Sequence, residues 1–497
     1  MTRSYRAGVP RWWQALSDRQ IALIVGHIVV GVWLHRPVPV IGLFAVSAAV
    51  CRARAVVLLG VVGGLAGMTL SNQTWRGVAP DNLGPYQGWT CLVTDPTPQN
   101  GAMAVILEIE GERFQTWARG SSRRRISTHL AGECVQISGS RRALDGVNGR
   151  RAAIRHVVGR FDVDTIGDWG EGTALDRASN RVRRLFGVGA SELGPPDDAL
   201  FAGLVIGDDR NEPVEMIQQF RGSGLSHLTA VSGQNVGFVL AAASPLLRRL
   251  RPWARWLCTL GLIGWFVALT RFEPSVLRAG VMGCIAATGF VLGRERPPTR
   301  VLALAVGLLV LIDPLLVWSV GFWLSVGATA GVALLGTPLA EFIPGPKWLA
   351  VPAAVTLGAQ AGVAPVSLLV FGTLPVVSVP ANLLAVPIAG LVMLYGLPAG
   401  LLAGACGGLI ASVVQIPSAL GTRWVATVAA LGSRLEPPAP FAAIGWAVLV
   451  LVIAARFVSA RRRRVCEGDG NGAALHHGRR RITGPHSGHR ARPPPCR

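Results

Sequence analysis

Charge is scarce in this 497-residue chain, 15% of positions in all, and acidic charge is scarcer still, with 27 Asp and Glu against 48 Lys and Arg. Combined with 51% hydrophobic residues and a mean hydropathy of +0.44, that scarcity excludes an ordinary soluble domain. A polytopic α-helical membrane protein of about 10–12 spans is the class it fits. Also missing is a GxxxxGK[ST] loop, so no nucleotide-driven motor of that type is built in. The GxSxG elbow of serve-and-release serine hydrolases is absent too. His476, His477, His486 and His489 fall in a basic, Gly- and Pro-rich tail rather than at zinc-ligand spacing, so neither metal nor cofactor is expected. Arg3, Arg6, Arg11 and Arg19 mimic a signal-peptide start, but no cleavage site follows and the first apolar stretch reads as retained.

The basic excess, +21 overall, has a topological reading. It collects in short joints, RRLRPWAR at 248–255, GRERPPTR at 293–300 and RRRR at 461–464, whereas TRFEP at 270–274 and LEPPAP at 435–440 are not basic. The positive-inside rule puts the first group and both termini on the cytoplasmic side. Five regions follow: membrane segments over 1–70, a polar insert over 71–166 placed outside, an amphipathic and re-entrant connector over 167–222, a multi-helix membrane domain over 223–459, and a basic tail over 460–497. In the connector, DRASNRVRRLFG spaces Arg177, Arg181 and Arg184 as an interfacial helix would.

Within the insert, apolar and polar residues alternate in five runs, 88–96, 103–111, 112–120, 133–141 and 152–159, each bounded by Gly, Pro or Asn. Five short strands suit an OB-type barrel, with a small sandwich as the alternative. Arg123, Arg124, Arg125, Arg141, Arg142, Arg150 and Arg151 are expected in loops between strands that carry Trp89, Phe114 and Trp117. Such a mixture serves a single-stranded nucleic-acid surface, or the aromatics are simply core. Cys91 and Cys134 fall on strands of the outward domain, where oxidation is permitted, and are expected to form a disulfide.

Polar groups stand out where membrane spans should be apolar. The decapeptide HLTAVSGQNV places His227, Ser232, Gly233, Gln234 and Asn235 at the start of a span. Arg278, Asp313, Ser325, Gln360 and Asn382 follow in later ones, and Pro365, Pro380 and Pro387 imply interrupted helices. Singly, each reads as an interhelical hydrogen bond, or as an ion pair for Arg278 and Asp313. Jointly they read as a polar pathway, with a small-solute transporter as the rival and an intramembrane hydrolase using Ser232 and His227 as a lesser one.

The motifs FAGLVIGDDR (201–210), FRGSGLSHLTAVSGQNV (220–236), PSVLRAGVM (274–282), DPLLVWSVGFWLSVGATAG (313–331), AQAGVAPVSLLVFG (359–372) and VSVPANLLAVP (377–387) occur in an order that resembles competence-protein membrane channels of the ComEC/Rec2 type. The resemblance implies import of one DNA strand across the cytoplasmic membrane of a bacterium during transformation. It also implies an N-terminal OB domain, an external DNA receptor, a cytoplasmic helicase-like motor and single-strand-binding proteins. The metallo-β-lactamase-like domain carried by many members has no counterpart motif here, so nuclease activity is not expected of this chain and a separate nuclease is a possible partner.

Overall fold

The computed structural model describes residues 16–34, 54–144, 146–229, 232–438, 440–448 and 451. The apolar runs 38–50 and 452–458 and the basic tail lie outside them. The protein is mostly helical, with one small β-sheet domain set between its first helices and the rest.

Helices α1 (Asp18–Leu34) and α2 (Arg54–Arg76) form an opening pair. Strands β1 (Gly84–Leu92), β2 (Thr97–Gln99), β3 (Ala102–Ile109), β4 (Glu112–Ala118), β5 (Cys134–Ala143) and β6 (Val157–Gly170) make one sheet in the order β1-β5-β6-β4-β3-β2. A further β1–β3 pairing closes it, and β4–β6 is its parallel pair. Alternation sends Val105, Leu107, Phe114, Val135, Ile137 and Phe161 into a shared core. The domain differs from its expected outline at both ends and inside. Residues 71–76 complete α2, and β6 runs on to Gly170. The basic runs 123–125 and 150–151 sit on two short helices, α3 (Gly120–Ser127) and α4 (Gly146–Ala153), while Arg141 and Arg142 lie on β5 itself. Arginine is a good helix former, and three in succession hide a helical turn from an alternation test.

After the sheet come α5 (Ala174–Ser191), α6 (Asp197–Ile206), α7 (Val214–Gly222) and the four-residue α8 (Ser226–Thr229). Thr173 and Asp176 form a reciprocal capping box that starts α5. Then follow α9 (Gly233–Leu247), α10 (Pro252–Leu269), α11 (Pro274–Val291), α12 (Pro298–Ile312), α13 (Val320–Phe342), α14 (Lys347–Phe371), α15 (Ser378–Cys406) and α16 (Gly408–Leu435). Among the described residues six helices, α2, α10, α11, α13, α14 and α15, are long and apolar enough to cross a membrane, and α12 is a shorter apolar one. The core of the helical part draws Phe186 from α5, Leu200, Phe201 and Leu204 from α6, and Ala385, Ala389 and Val392 from α15. All of α6 from Ala199 onward except Ala202 is buried in protein.

Two expectations about helix continuity are corrected. Helices α14 and α15 run unbroken through Pro365 and Pro387, and Pro380 lies in the first turn of α15, where a missing N–H costs nothing. The apolar run 300–318 reads in the sequence as one continuous span, but its helix stops at Ile312, because Asp313 caps a 3-10 turn over Pro314–Trp318 by accepting from the Leu315 N–H. Glycine sets the closest crossing. A methyl group at Gly327 or Gly331 of α13 would run into the Gly362 or Gly358 carbonyl of α14, so these two Gly-x-x-x-Gly faces touch backbone to backbone.

Candidate functional site

The HLTAVSGQNV segment divides at the Ser-Gly step. His227 is exposed on α8, and Ser232 begins α9. The Ser232 hydroxyl donates to Asn235 Oδ1 at 3.1 Å, and Asn235 Nδ2 donates to the Leu204 carbonyl of α6 at 3.1 Å. Asn235 therefore ties the tip of α9 to a buried helix, and Ser232 is engaged with Asn235. Gln234 is exposed. Gly233 lies flat against α11, where a side chain would meet Ala279 Cβ at 2.8 Å and Arg278 Nη2 at 3.1 Å.

Arg278 is 5% exposed, one turn inside α11. Its Nε donates to Ser325 Oγ of α13 at 2.8 Å, and its Nη1 points at Met282 Sδ at 3.0 Å. Among the described residues no carboxylate pairs with it. The expected partner, Asp313, is elsewhere: its Oδ2 lies 3.1 Å from His156 Nε2 of the β domain. Asp313 stands at the end of a helix whose sequence gives no sign that it meets another domain. Further along, Gln360 of α14 donates to Ser378 Oγ of α15 at 3.0 Å, and Asn382 donates to the Ser378 carbonyl at 2.6 Å. Ser378 also touches the site where a Gly224 side chain would be, so Gln360 and Asn382 converge on the turn that precedes α8.

A second constellation, not legible in the sequence, joins the β domain to the helices. Asp95, just after β1, accepts from Arg271 Nη2 and Arg183 Nη2, both at 3.0 Å, and its Oδ1 accepts from the Ala131 N–H at 2.8 Å. Arg183 of α5 also reaches Asp208 at 3.2 Å and the Leu269 carbonyl at 3.1 Å. Arg210 forks onto Asp208 at 2.6 and 2.7 Å. Asn180 takes Arg271 at 2.7 Å and donates to the Ala131 carbonyl at 3.1 Å. Burial alone would raise the Asp95 carboxyl, but the Arg183, Arg271 and Arg210 charges hold it down to about 2. Nearby Glu212 goes the other way: burial, with Asp209 and Asp208 adding repulsion, pushes it up to about 8. One Glu212 oxygen has no hydrogen-bond partner and faces the Gly203 step of α6.

These contacts orient the helices. Arg271, between α10 and α11, and Asp313, after α12, both touch the β domain. The basic joints 248–255 and 293–300 therefore lie at the opposite ends of those helices.

A family model described as competence protein matches residues 204–462, just over half of the chain. The chain belongs to the competence protein family. Its similarity to ComE operon protein 3 of Bacillus subtilis (strain 168) is 29% identity over 253 residues, 50% of this chain and 32% of that protein. To the uncharacterized protein YcaI of Escherichia coli (strain K12) it is 27% over 215 residues, 39% of this chain and 27% of the relative. An uncharacterized protein of Aquifex aeolicus (strain VF5) is 32% identical over 156 residues, 31% of this chain and 36% of the relative. The aligned region thus spans about a third of each of these curated relatives. No solved structure matches. The competence match contains Arg278, Asn235, Ser325, Gln360 and Asn382 and also Asp208, Arg210 and Arg271 of the second constellation, a clasp between β domain and helices, whereas its members Asp95, Asn180 and Arg183 precede the match.

In this competence-family chain the β-domain candidates fall into two groups. Arg141 pairs with Glu110 at 2.7 Å and lies over the Tyr86 ring, and Arg142 pairs with Asp162 at 3.1 Å. Arg125 is bonded to the Ile166 carbonyl. Arg123 and Arg124 are exposed and make no ion pair among the described residues, Arg123 donating only to the Gly101 carbonyl at 3.2 Å. Phe114 is core at 0% exposure, while Trp89 and Trp117 are exposed. Cys91 and Cys134, register partners on β1 and β5, are disulfide-bonded.

Proposed function

We propose that this chain is an integral membrane channel that imports single-stranded DNA across the cytoplasmic membrane during competence. The observation that carries the reading is Arg278: a buried guanidinium in an apolar helix, held by a serine hydroxyl and a methionine sulfur instead of a carboxylate. An unneutralised buried cation is costly unless an anion or water visits it, and a passing phosphodiester is such an anion. The neutral donors Asn235, Gln360 and Asn382 suit a path that must release what it binds.

The closed order β1-β3-β4-β6-β5, with a parallel β4–β6 pair and a helix between β4 and β5, supports an OB-type barrel. With the basic joints at the far ends of α10, α11 and α12, the positive-inside rule supports an extracytoplasmic β domain, and a disulfide there is chemically at home. Catalysis is not part of this reading, since Ser232 is engaged with Asn235. An external DNA receptor, a cytoplasmic motor, single-strand-binding proteins and a separate nuclease are the partners such a channel requires.

The test is uptake of labelled DNA by a deletion strain complemented with wild type, Arg278→Lys or Arg278→Ala at matched membrane levels. Uptake is expected to fall to background with Ala and to recover in part with Lys. Normal uptake in the uncomplemented deletion strain would reject the reading.

A further inference from the structure

Where α9 and α11 end and α10 begins, the three helices border a cavity of about 240 Å³. It lies at the basic end of these helices, away from the β domain. Its walls divide by chemistry. Arg248, from the close of α9, and Arg255, from the first turn of α10, bring guanidiniums, whereas Leu247, Ala287 and Val291 bring aliphatic surface. No acidic side chain lines it.

Neither arginine is neutralised. Among the described residues Arg248 and Arg255 make no ion pair, and Glu295, the acid of the neighbouring joint, is exposed and pairs with neither. Arg255 is nevertheless held in place: its guanidinium lies 5.3 Å over the Phe290 ring, and the Thr259 hydroxyl donates to its carbonyl at 2.7 Å. Trp256 is anchored beside it, with Nε1 donating to Thr288 Oγ1 at 3.1 Å and Trp253 meeting it edge-on. Aromatic rings and cations fixed together at the ends of apolar helices mark the level where acyl chains give way to headgroups.

The cavity is smaller than the roughly 300–1,000 Å³ that a whole small-molecule ligand fills. It therefore suits the polar part of a molecule whose remainder lies along the helices. Two uncommitted cations ask for an anion, and aliphatic walls ask for hydrocarbon. A free phosphate would use the arginines and leave those walls idle. A nucleic-acid strand would need free ring faces, whereas Phe290 is covered on one side by Arg255 and Trp256 abuts Trp253.

We infer that this cavity binds the phosphate of an anionic glycerophospholipid of the phosphatidylglycerol type, with Arg248 and Arg255 on the phosphate and acyl chain along Leu247, Ala287 and Val291. The inference rests on the membrane reading and is independent of DNA import. Helix α11 also carries Arg278, so a lipid seated here braces the far end of that helix against α9 and α10.

The experiment titrates the full chain in a neutral detergent with dioleoylphosphatidylglycerol or dioleoylphosphatidylcholine and reads bound lipid by native mass spectrometry. Wild type is expected to prefer phosphatidylglycerol about thirtyfold, about a factor of five for each arginine. Arg248→Gln with Arg255→Gln is expected to erase that preference, and Arg248→Lys with Arg255→Lys to keep most of it. Arg249→Gln with Arg251→Gln takes the same charge from the same joint outside the cavity, and the preference is expected to stay within about threefold of wild type. No preference in wild type, an unchanged one in the Arg248/Arg255 glutamine variant, or an equal loss in the Arg249/Arg251 variant would overturn the site. Displacement of bound phosphatidylglycerol by glycerol 3-phosphate would reassign it to a soluble anion, and displacement by oligo(dT) to nucleic acid; either result also overturns it.

Discussion

Arg183 and Arg278 are each 5% exposed, yet they occupy opposite electrostatic situations. Arg183 sits between two carboxylates, Asp95 and Asp208, and belongs to a joint that holds the β domain on the helices. Arg278 has a hydroxyl and a thioether. A buried cation flanked by two carboxylates is explained by the structure around it, although Arg183 Nε itself makes no hydrogen bond. One without a carboxylate fits the proposed role of meeting an anion that comes and goes. Burial therefore does not separate a structural arginine from a working one; the partner does.

The sharpest way to break this contrast is to pair Arg278. Ser325→Asp places a carboxylate where the serine hydroxyl now accepts from Nε, and it is expected to abolish DNA uptake while raising the thermal midpoint of the purified protein. Uptake at the wild-type rate would show that Arg278 has no need of a free charge. The reverse manipulation weakens the pairing of Arg183: Asp95→Asn takes one carboxylate from buried Arg183 and the carboxylate from half-buried Arg271, and is expected to cost about 3 kcal/mol in denaturant unfolding. A loss below about 1 kcal/mol would mean that Asp208 alone suffices for Arg183.

Acid should expose the same joint. The Asp95 carboxyl is held at about 2 against an ordinary 3.8. Its contribution is therefore complete above about pH 4 and is lost as pH falls toward 2, worth about 2 kcal/mol. Asp95→Asn should flatten that limb of the stability profile. An effect of opposite sign concerns Glu212, whose folded value of about 8 exceeds the ordinary 4.5. The folded state keeps a proton that the unfolded chain releases, so stability declines as pH rises from 4.5 to 8. Glu212→Gln should remove that decline, matching wild type at pH 4.5 and melting a few degrees higher at pH 8.

Much of the helical part was legible because long apolar runs and charged joints are local signals. Four of the five expected strands were legible for the same reason, since alternation is read within a few residues; the fifth, 152–159, begins on α4 and catches only the first three residues of β6. Helix α3 was not, because its three arginines look like loop charge until Ile126 is seen to be buried beneath them. The clasp was less visible still. Asp95 reads as a turn aspartate before a proline, Arg183 as one more cation in a basic helix, and Arg271 as part of a short joint. They meet across 88 and 176 residues of chain, and no window of sequence contains both partners. Arg278 stands out in the sequence as a residue, but the alternative that pairs it with Asp313 fails, since depth along a helix does not tell which domain stands beyond Asp313.

The backbone contact of α13 and α14 has a consequence for motion. With Gly327 and Gly331 seated on Gly362 and Gly358, a slide of one residue would drive a side chain into a carbonyl on either helix. The pair has one permitted register and moves as a single stave, carrying Ser325 and Gln360 at a fixed spacing. In the proposed channel, widening past Arg278 would therefore use a seam other than α13–α14, such as those that α11 makes with α9 through Gly233 and with α13 through Ser325.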